Sequence, residues 1–209
     1  MRDKWYSDNR DLVKWGVLLQ LAELYNTATI LQVAYYRSTP WDEKSLEIDG
    51  RAYPLPPEVV NHFRNIKNIA TLRSNARVMV LDAPCHDRAQ YLQCILMAIQ
   101  NLPKEPAIVF LDPDIGLEPR GKPRLEHVLE TELREIWHAL RRGDLLVFYQ
   151  HQTNRAGRSW VEEKQTQFEK AIRLERGGSK LAQGEEIARD VAFFFSHRLD
   201  SATTVQVSR

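Results

Sequence analysis

Asp112 and Asp114 stand two residues apart in Leu111-Asp112-Pro113-Asp114-Ile115-Gly116-Leu117, and Glu118 follows four residues later. Carboxylates so spaced can share Mg²⁺ and its waters, or one of them can take a proton or a hydrogen bond from a substrate group. The alternative is a plain turn, because Asp, Pro and Gly are turn residues. A second polar group follows the next apolar run, in Tyr149-Gln150-His151-Gln152-Thr153-Asn154-Arg155. His151 there could act as general acid or base near neutral pH, or ligate a metal; its bland role is a bond to loop backbone. The expected catalytic set is therefore Asp112, Asp114 and His151. For metal-dependent chemistry the expected ligands are Asp112, Asp114 and Glu118.

Arg155 and Arg158 could grip a phosphate chain, and Trp160 could stack on a base. Together with Gln150 and Asn154 they form the expected substrate-binding group. Arg120, Lys122 and Arg124 make a second basic loop, and two such loops on one edge suggest an anionic ligand. Asp82 ends an apolar run, as ribose-binding acids do in nucleotide folds. Glu185, Glu186, Arg189 and Asp190 read as a salt-bridged surface, and Cys85-His86-Asp87 as a helix start.

The elements that must position these groups follow from periodicity. Ala107 to Leu111 is an unbroken apolar run, the mark of a strand buried on both faces of a parallel sheet. Pro113 ends it and pushes Asp112 towards an extended conformation. Thr29–Tyr36, Val78–Asp82 and Leu145–Tyr149 read as strands of the same kind. Helices are expected from about residue 9 to 26, with Asp8 or Asn9 as cap, and at 87–101, 130–142 and 160–174, the last with a Ser159/Glu162 capping box. A further helix should begin at Pro57. Asp49-Gly50 signals a hairpin within an insertion at 42–56. Val191–Phe195 and Thr203–Val207 read as two terminal strands paired antiparallel. The expected fold is α/β, a three-layer Rossmann-like, methyltransferase-like arrangement of one domain over 1–209, with a mostly parallel sheet and an antiparallel C-terminal edge. Ligands of such sheets sit beyond the carboxyl ends of the strands.

Composition bounds the function. There are 29 Lys+Arg against 28 Asp+Glu, so no global basic field marks a nucleic-acid binder, while local patches are open. Two cysteines are too few for a disulfide scaffold, and the polar Met1-Arg2-Asp3-Lys4 start is unlike a signal peptide. No apolar run is long enough for a membrane span. The expectation is a cytoplasmic protein with no membrane partner. Its oligomeric state cannot be read from the sequence.

The leading helix, the parallel strands, the acidic-Pro turn and the closing strand pair resemble the class I S-adenosylmethionine-dependent methyltransferase fold. Asn9-Arg10-Asp11-Leu12-Val13-Lys14 is similar to an Asn-x-x-Asp-x-x-Lys pattern of the bacterial ribosomal-RNA adenine-N6 methyltransferases of the RlmJ type, and Asp112-Pro113-Asp114-Ile115 resembles their Asp-Pro-Pro-Tyr motif. In that family the motif binds the amino group of a flipped-out base. The resemblance implies S-adenosylmethionine as cofactor, with Asp11, Lys14, Tyr35 and Asp82 around it. The chain departs from the family in several places, and the pattern at the first helix has one more residue between Asn and Asp than Asn9-Arg10-Asp11. Asp114 replaces the second Pro, Ile115 replaces the stacking aromatic, and Tyr35-Tyr36-Arg37-Ser38 replaces the glycine-rich loop that would receive the methionine end. Bulky residues there keep backbone N–H groups from a ligand, so weak cofactor binding or none is expected. Three functions stay open: a methyltransferase-like enzyme acting on a nucleic acid or nucleotide, a metal-dependent (Mg²⁺) nuclease or phosphodiesterase, and a degenerate non-catalytic binding domain. If the carboxylates are catalytic or bind metal, Asp112→Asn is expected to abolish activity while changing stability little, as at an exposed turn; if they are structural, it is expected to lower Tm.

Overall fold

The computed structural model describes residues 8–37, 45–54, 65–72, 74–152 and 160–199. The expected helix at Pro57, the strand at 203–207, the cap at Ser159, and Asn154, Arg155 and Arg158 lie outside them.

Helix α1 spans Asn9–Leu24, with Asp8 as its cap: the carboxylate accepts the N–H groups of Arg10 at 2.9 Å and Asp11 at 3.1 Å. Asn26, in the left-handed region at φ 49°, turns the chain into β1, Thr29–Val33. A two-stranded hairpin follows, β2 (Ser45–Ile48) and β3 (Arg51–Pro54). Asp49 and Gly50 between them have φ of 49° and 73°, the pair of positive values a two-residue hairpin turn needs. The remaining elements are a 3₁₀ turn at Ile66–Thr71, β4 (Arg77–Leu81), α2 (Arg88–Gln100), β5 (Ala107–Leu111), β6 (Gly116–Leu117), β7 (His127–Val128), α3 (Glu130–Ala139), β8 (Leu145–His151), α4 (Trp160–Ala171), β9 (Lys180–Gly184) and β10 (Ala188–His197).

Six strands form one sheet in the order β4-β1-β5-β8-β10-β9. β1 pairs parallel with β4 and β5, and β5 pairs parallel with β8. β10 runs antiparallel to both β8 and β9. The antiparallel C-terminal edge is therefore present, and its edge strand is Lys180–Gly184, which precedes residues 191–195. Lys180–Gly184 carries mostly exposed residues, as befits an edge, and lacks the apolar run by which inner strands are recognised.

β1, β5 and the first six residues of β8 are buried, and alternate side chains serve opposite faces. Ile30, Phe110 and Val147 pack with Val13, Leu18 and Leu21 of α1. Leu31, Val109, Leu111 and Phe148 pack with Ile95 of α2, Ile136 of α3 and Phe168 of α4. Helices thus cover both faces of the sheet, which gives the three-layer Rossmann-like architecture. Among the described residues no helix is long and apolar enough to cross a membrane. Both cysteines are free thiols, Cys85 buried and Cys94 half-buried.

From β1 the chain goes to β4 on one side and returns to β5 on the other, so the strand order reverses between β1 and β5. In open α/β sheets the crevice at such a reversal is where ligands bind.

Candidate functional site

A cleft of about 390 Å³ opens at that reversal, a size suited to a small ligand. Its walls are the head of α1 (Arg10, Asp11, Lys14), Arg37 beyond β1, Asp112–Ile115 beyond β5, Glu126, and Tyr149 and His151 of β8. The helix start and the two strand ends named from sequence do converge, and Asp112, Asp114 and His151 share one cleft.

Asp112 sits at the centre and is only 2% exposed. Its N–H continues the ladder to Val33 O, at 3.0 Å. One carboxylate oxygen, Oδ2, accepts from Lys14 Nζ at 3.0 Å and Gln32 Nε2 at 2.7 Å. The other, Oδ1, has no hydrogen-bond partner among the described residues, although the side chain lines the cleft. Lys14 also donates to Asp11 at 2.7 Å and lies 5.2 Å from the centre of the Tyr149 ring. Burial pulls the Lys14 ammonium down, and the charges of Asp112 and Asp11 more than reverse it, holding its pKa above the ordinary lysine value. Burial also raises the Tyr149 hydroxyl, against the opposing pull of Lys14. The Asp112 carboxylate is thus a braced, buried group and not an exposed turn residue, which overturns the expectation that Asp112→Asn leaves stability unchanged.

Asp114 is ion-paired with Arg37, whose guanidinium also reaches Glu126 at 2.5 Å. That hydrogen bond holds the Glu126 carboxyl below its ordinary range. His151 turns both ring nitrogens to acceptors: Nδ1 is 2.9 Å from Gln152 O and Nε2 is 3.1 Å from an Asp190 oxygen. Arg10 donates to the same carboxylate, 3.1 Å from Nε, and keeps Asp190 below its usual pKa. Both nitrogens have an oxygen partner in reach, so His151 forms part of an Arg10–Asp190–His151 chain along the wall.

Several expected roles are corrected. Glu118 faces a different cleft: its Oε1 accepts the Glu130 N–H at 2.7 Å. Asp112, Asp114 and Glu118 therefore do not converge, and among the described residues no group of three His, Cys, Asp or Glu could hold a metal. Gln150 is fully buried and braces backbone, accepting from Leu117 N–H at 2.9 Å and donating to Ile115 O at 3.1 Å, so it does not line the cleft. Trp160 is 7% exposed, packs into the core and lines a second cleft rather than this one. Asp82 lies off the cleft, at the end of the edge strand β4, paired with Lys67 at 2.7 Å.

The turn beyond β1 does not fit the methionine end of S-adenosylmethionine by close backbone approach. Tyr35 has φ 45°, its N–H donates to Tyr91 Oη at 2.8 Å, and its ring is buried in the core. Arg37 is tied to two carboxylates. Asp11 and Lys14 do reach the cleft, but they serve Asp112 there.

Gln32, Arg10, Arg37, Glu126 and Asp190 were not among the expected site residues. Gln32 had a signal: an amide inside a strand buried on both faces must find a partner. No family model matches the chain, and no curated protein matches its sequence.

Proposed function

We propose that this protein is an enzyme acting on a nucleotide or on a nucleotide unit of a nucleic acid, and that its first cleft takes the base or sugar end. Asp112 Oδ1 accepts a hydrogen bond from the exocyclic amino group of the base. The observation that carries this reading is the Asp112 carboxylate, buried, with one oxygen fixed by Lys14 and Gln32 and the other offered to the cleft. A buried acceptor in that state favours a ligand with a matching donor and rejects one without it. Charge agrees: the lining carries five carboxylates (Asp8, Asp11, Asp112, Asp114, Glu126) against three cations (Arg10, Lys14, Arg37), which suits a donor-bearing end rather than a phosphate.

Within this reading, methyl transfer is the reaction suggested by the Rossmann-like sheet and the Asp112-Pro113 turn, by resemblance alone. The Tyr35–Arg37 turn speaks against the family's mode of cofactor binding, so no step is drawn through the cofactor.

Calorimetry with adenosine, cytidine and uridine tests the site, and transfer of a labelled methyl group from S-adenosylmethionine to RNA and DNA oligonucleotides tests the reaction. The amino-bearing nucleosides should bind more tightly than uridine. In Asp112→Asn the donors of Lys14 and Gln32 hold the amide oxygen, so its N–H faces the cleft and the preference should invert. Equal binding of all three nucleosides by both proteins would refute the proposed role of Asp112. Selective binding without any turnover would leave a binding domain in place of an enzyme.

A further inference from the structure

We infer that a second cleft, joined to the first at Ile115 and His151, holds a phosphate group, and that His127 is its hydrogen-bond donor; this rests on the nucleotide reading above. The cleft measures about 1050 Å³ and lies between the β6–β7 segment and α4. His127 is 7% exposed and lines it. Its Nδ1 accepts the N–H of Arg124 at 3.1 Å, which places the ring proton on Nε2. Nε2 has no hydrogen-bond partner among the described residues, so a buried N–H donor is offered to this cleft. Burial lowers the pKa of His127, which favours the neutral ring with that proton in place.

The charges around it favour an anion. The four carboxylates of the lining are already engaged. Glu118 accepts from the Glu130 N–H, Glu130 from Gln167, Glu162 from Arg176, and Glu163 from Arg120. Lys122, Arg124 and Lys170 have no ion pair among the described residues. Lys164, buried in the wall, donates only to neutral acceptors: Leu117 O, Glu118 O and Gln167 Oε1. A neutral imidazole donor flanked by three cations without an ion pair is an arrangement that attracts a phosphate, while the charge of Lys164 is offset in part by Glu163, Glu130 and Glu118. The first cleft, rich in carboxylate, takes the other end of the ligand.

The test uses two-bond ¹H–¹⁵N spectra of the histidine rings in the wild-type protein, titrated with inorganic diphosphate, then with adenosine monophosphate and a short single-stranded oligonucleotide. His127 should show the Nε2–H tautomer, and its signals should move on adding diphosphate. His127→Ala, and separately Arg124→Ala, should each weaken diphosphate binding by about tenfold. The Arg124 variant keeps the backbone N–H that positions the ring. Signals of His127 that stay unmoved, with Arg124→Ala binding as the wild type does, would overturn the inference. Free diphosphate and nucleoside report on separate clefts, so failure here is distinguishable from failure at Asp112. Tighter binding of the oligonucleotide than of the mononucleotide would assign the phosphate to a strand, and the reverse to a free nucleotide.

Discussion

The Asp11–Lys14–Asp112 cluster makes a quantitative claim about stability. Lys14 lies between two carboxylates, at 2.7 and 3.0 Å, and all three side chains are almost wholly buried. Lys14→Met removes the cation that both carboxylates share. Breaking a buried ion pair from one side costs about 3–5 kcal/mol. At about 2–4 °C per kcal/mol for a chain of this size, Tm should fall by roughly 6–20 °C. Asp112→Asn alone keeps the hydrogen bonds from Lys14 and Gln32 but loses their charge, at a cost of about 1–3 kcal/mol. The double variant is the decisive one. Without Lys14, neutralising Asp112 removes a like-charge contact, so the double change should cost less than Lys14→Met alone. The coupling should exceed about 1 kcal/mol, outside the range of additive pairs. Urea denaturation followed by circular dichroism measures all four proteins, with the slope m held constant as the check on two-state behaviour. Additive losses would refute the view that Lys14 is held by Asp112, and the site argument would lose its centre.

Three further outcomes are expected. Gly116 has φ 131°, and a Cβ there would lie 2.3–2.4 Å from the Gln150 amide, so Gly116→Ala should destabilise by about 2–3 kcal/mol in thermal melts, and an unchanged Tm would refute the brace role of Gln150. Asp190 is held down by Arg10, so its contribution is present above the unfolded carboxylate pKa of about 3.9 and is lost as pH falls through the lower folded value. The pair is about one-third exposed, so Asp190→Asn should cost about 1 kcal/mol or less at pH 7, and the difference from wild type should close as pH falls through the lowered folded value in melts across pH. S-adenosylmethionine should bind ligand-stripped protein weakly or not at all by calorimetry, and a dissociation constant in the low micromolar range would show that side chains replace the missing glycines.

The parts of the fold that could be read from sequence are those whose cause is local. An apolar run between Pro106 and Asp112 has one good use, and β5 is that strand. Asp49-Gly50 dictates its own turn. Asp87 was placed at a helix start and does cap α2, accepting the Gln90 N–H at 2.7 Å. β9 is not expected from the sequence because an edge strand needs no apolar pattern. β6 and β7 are two residues each, too short for any period to register. The site divided in the same way. Asp112, Asp114 and His151 follow strand ends and were found by topology. Their partners were not, because nothing near Lys14 announces an acid 98 positions away. Asp190 reads as surface charge in the sequence and reaches the site because β10 lies against β8, with Val191 opposite His151.

Arg10 and Asp190 lie 180 positions apart in the chain, yet meet beside the cleft. A nascent chain can pair β1, β4, β5 and β8 while its C-terminal part is still unmade, since synthesis runs from the N-terminus and early segments can begin to fold. The wall around His151 cannot close in that interval, because its carboxylate arrives only when β10 has emerged and inserted between β8 and β9. A chain interrupted before residue 190 would thus keep much of its parallel sheet and Asp112, yet present an open, misaligned cleft. Arrival of β10, rather than formation of the parallel core, is the event that finishes the site.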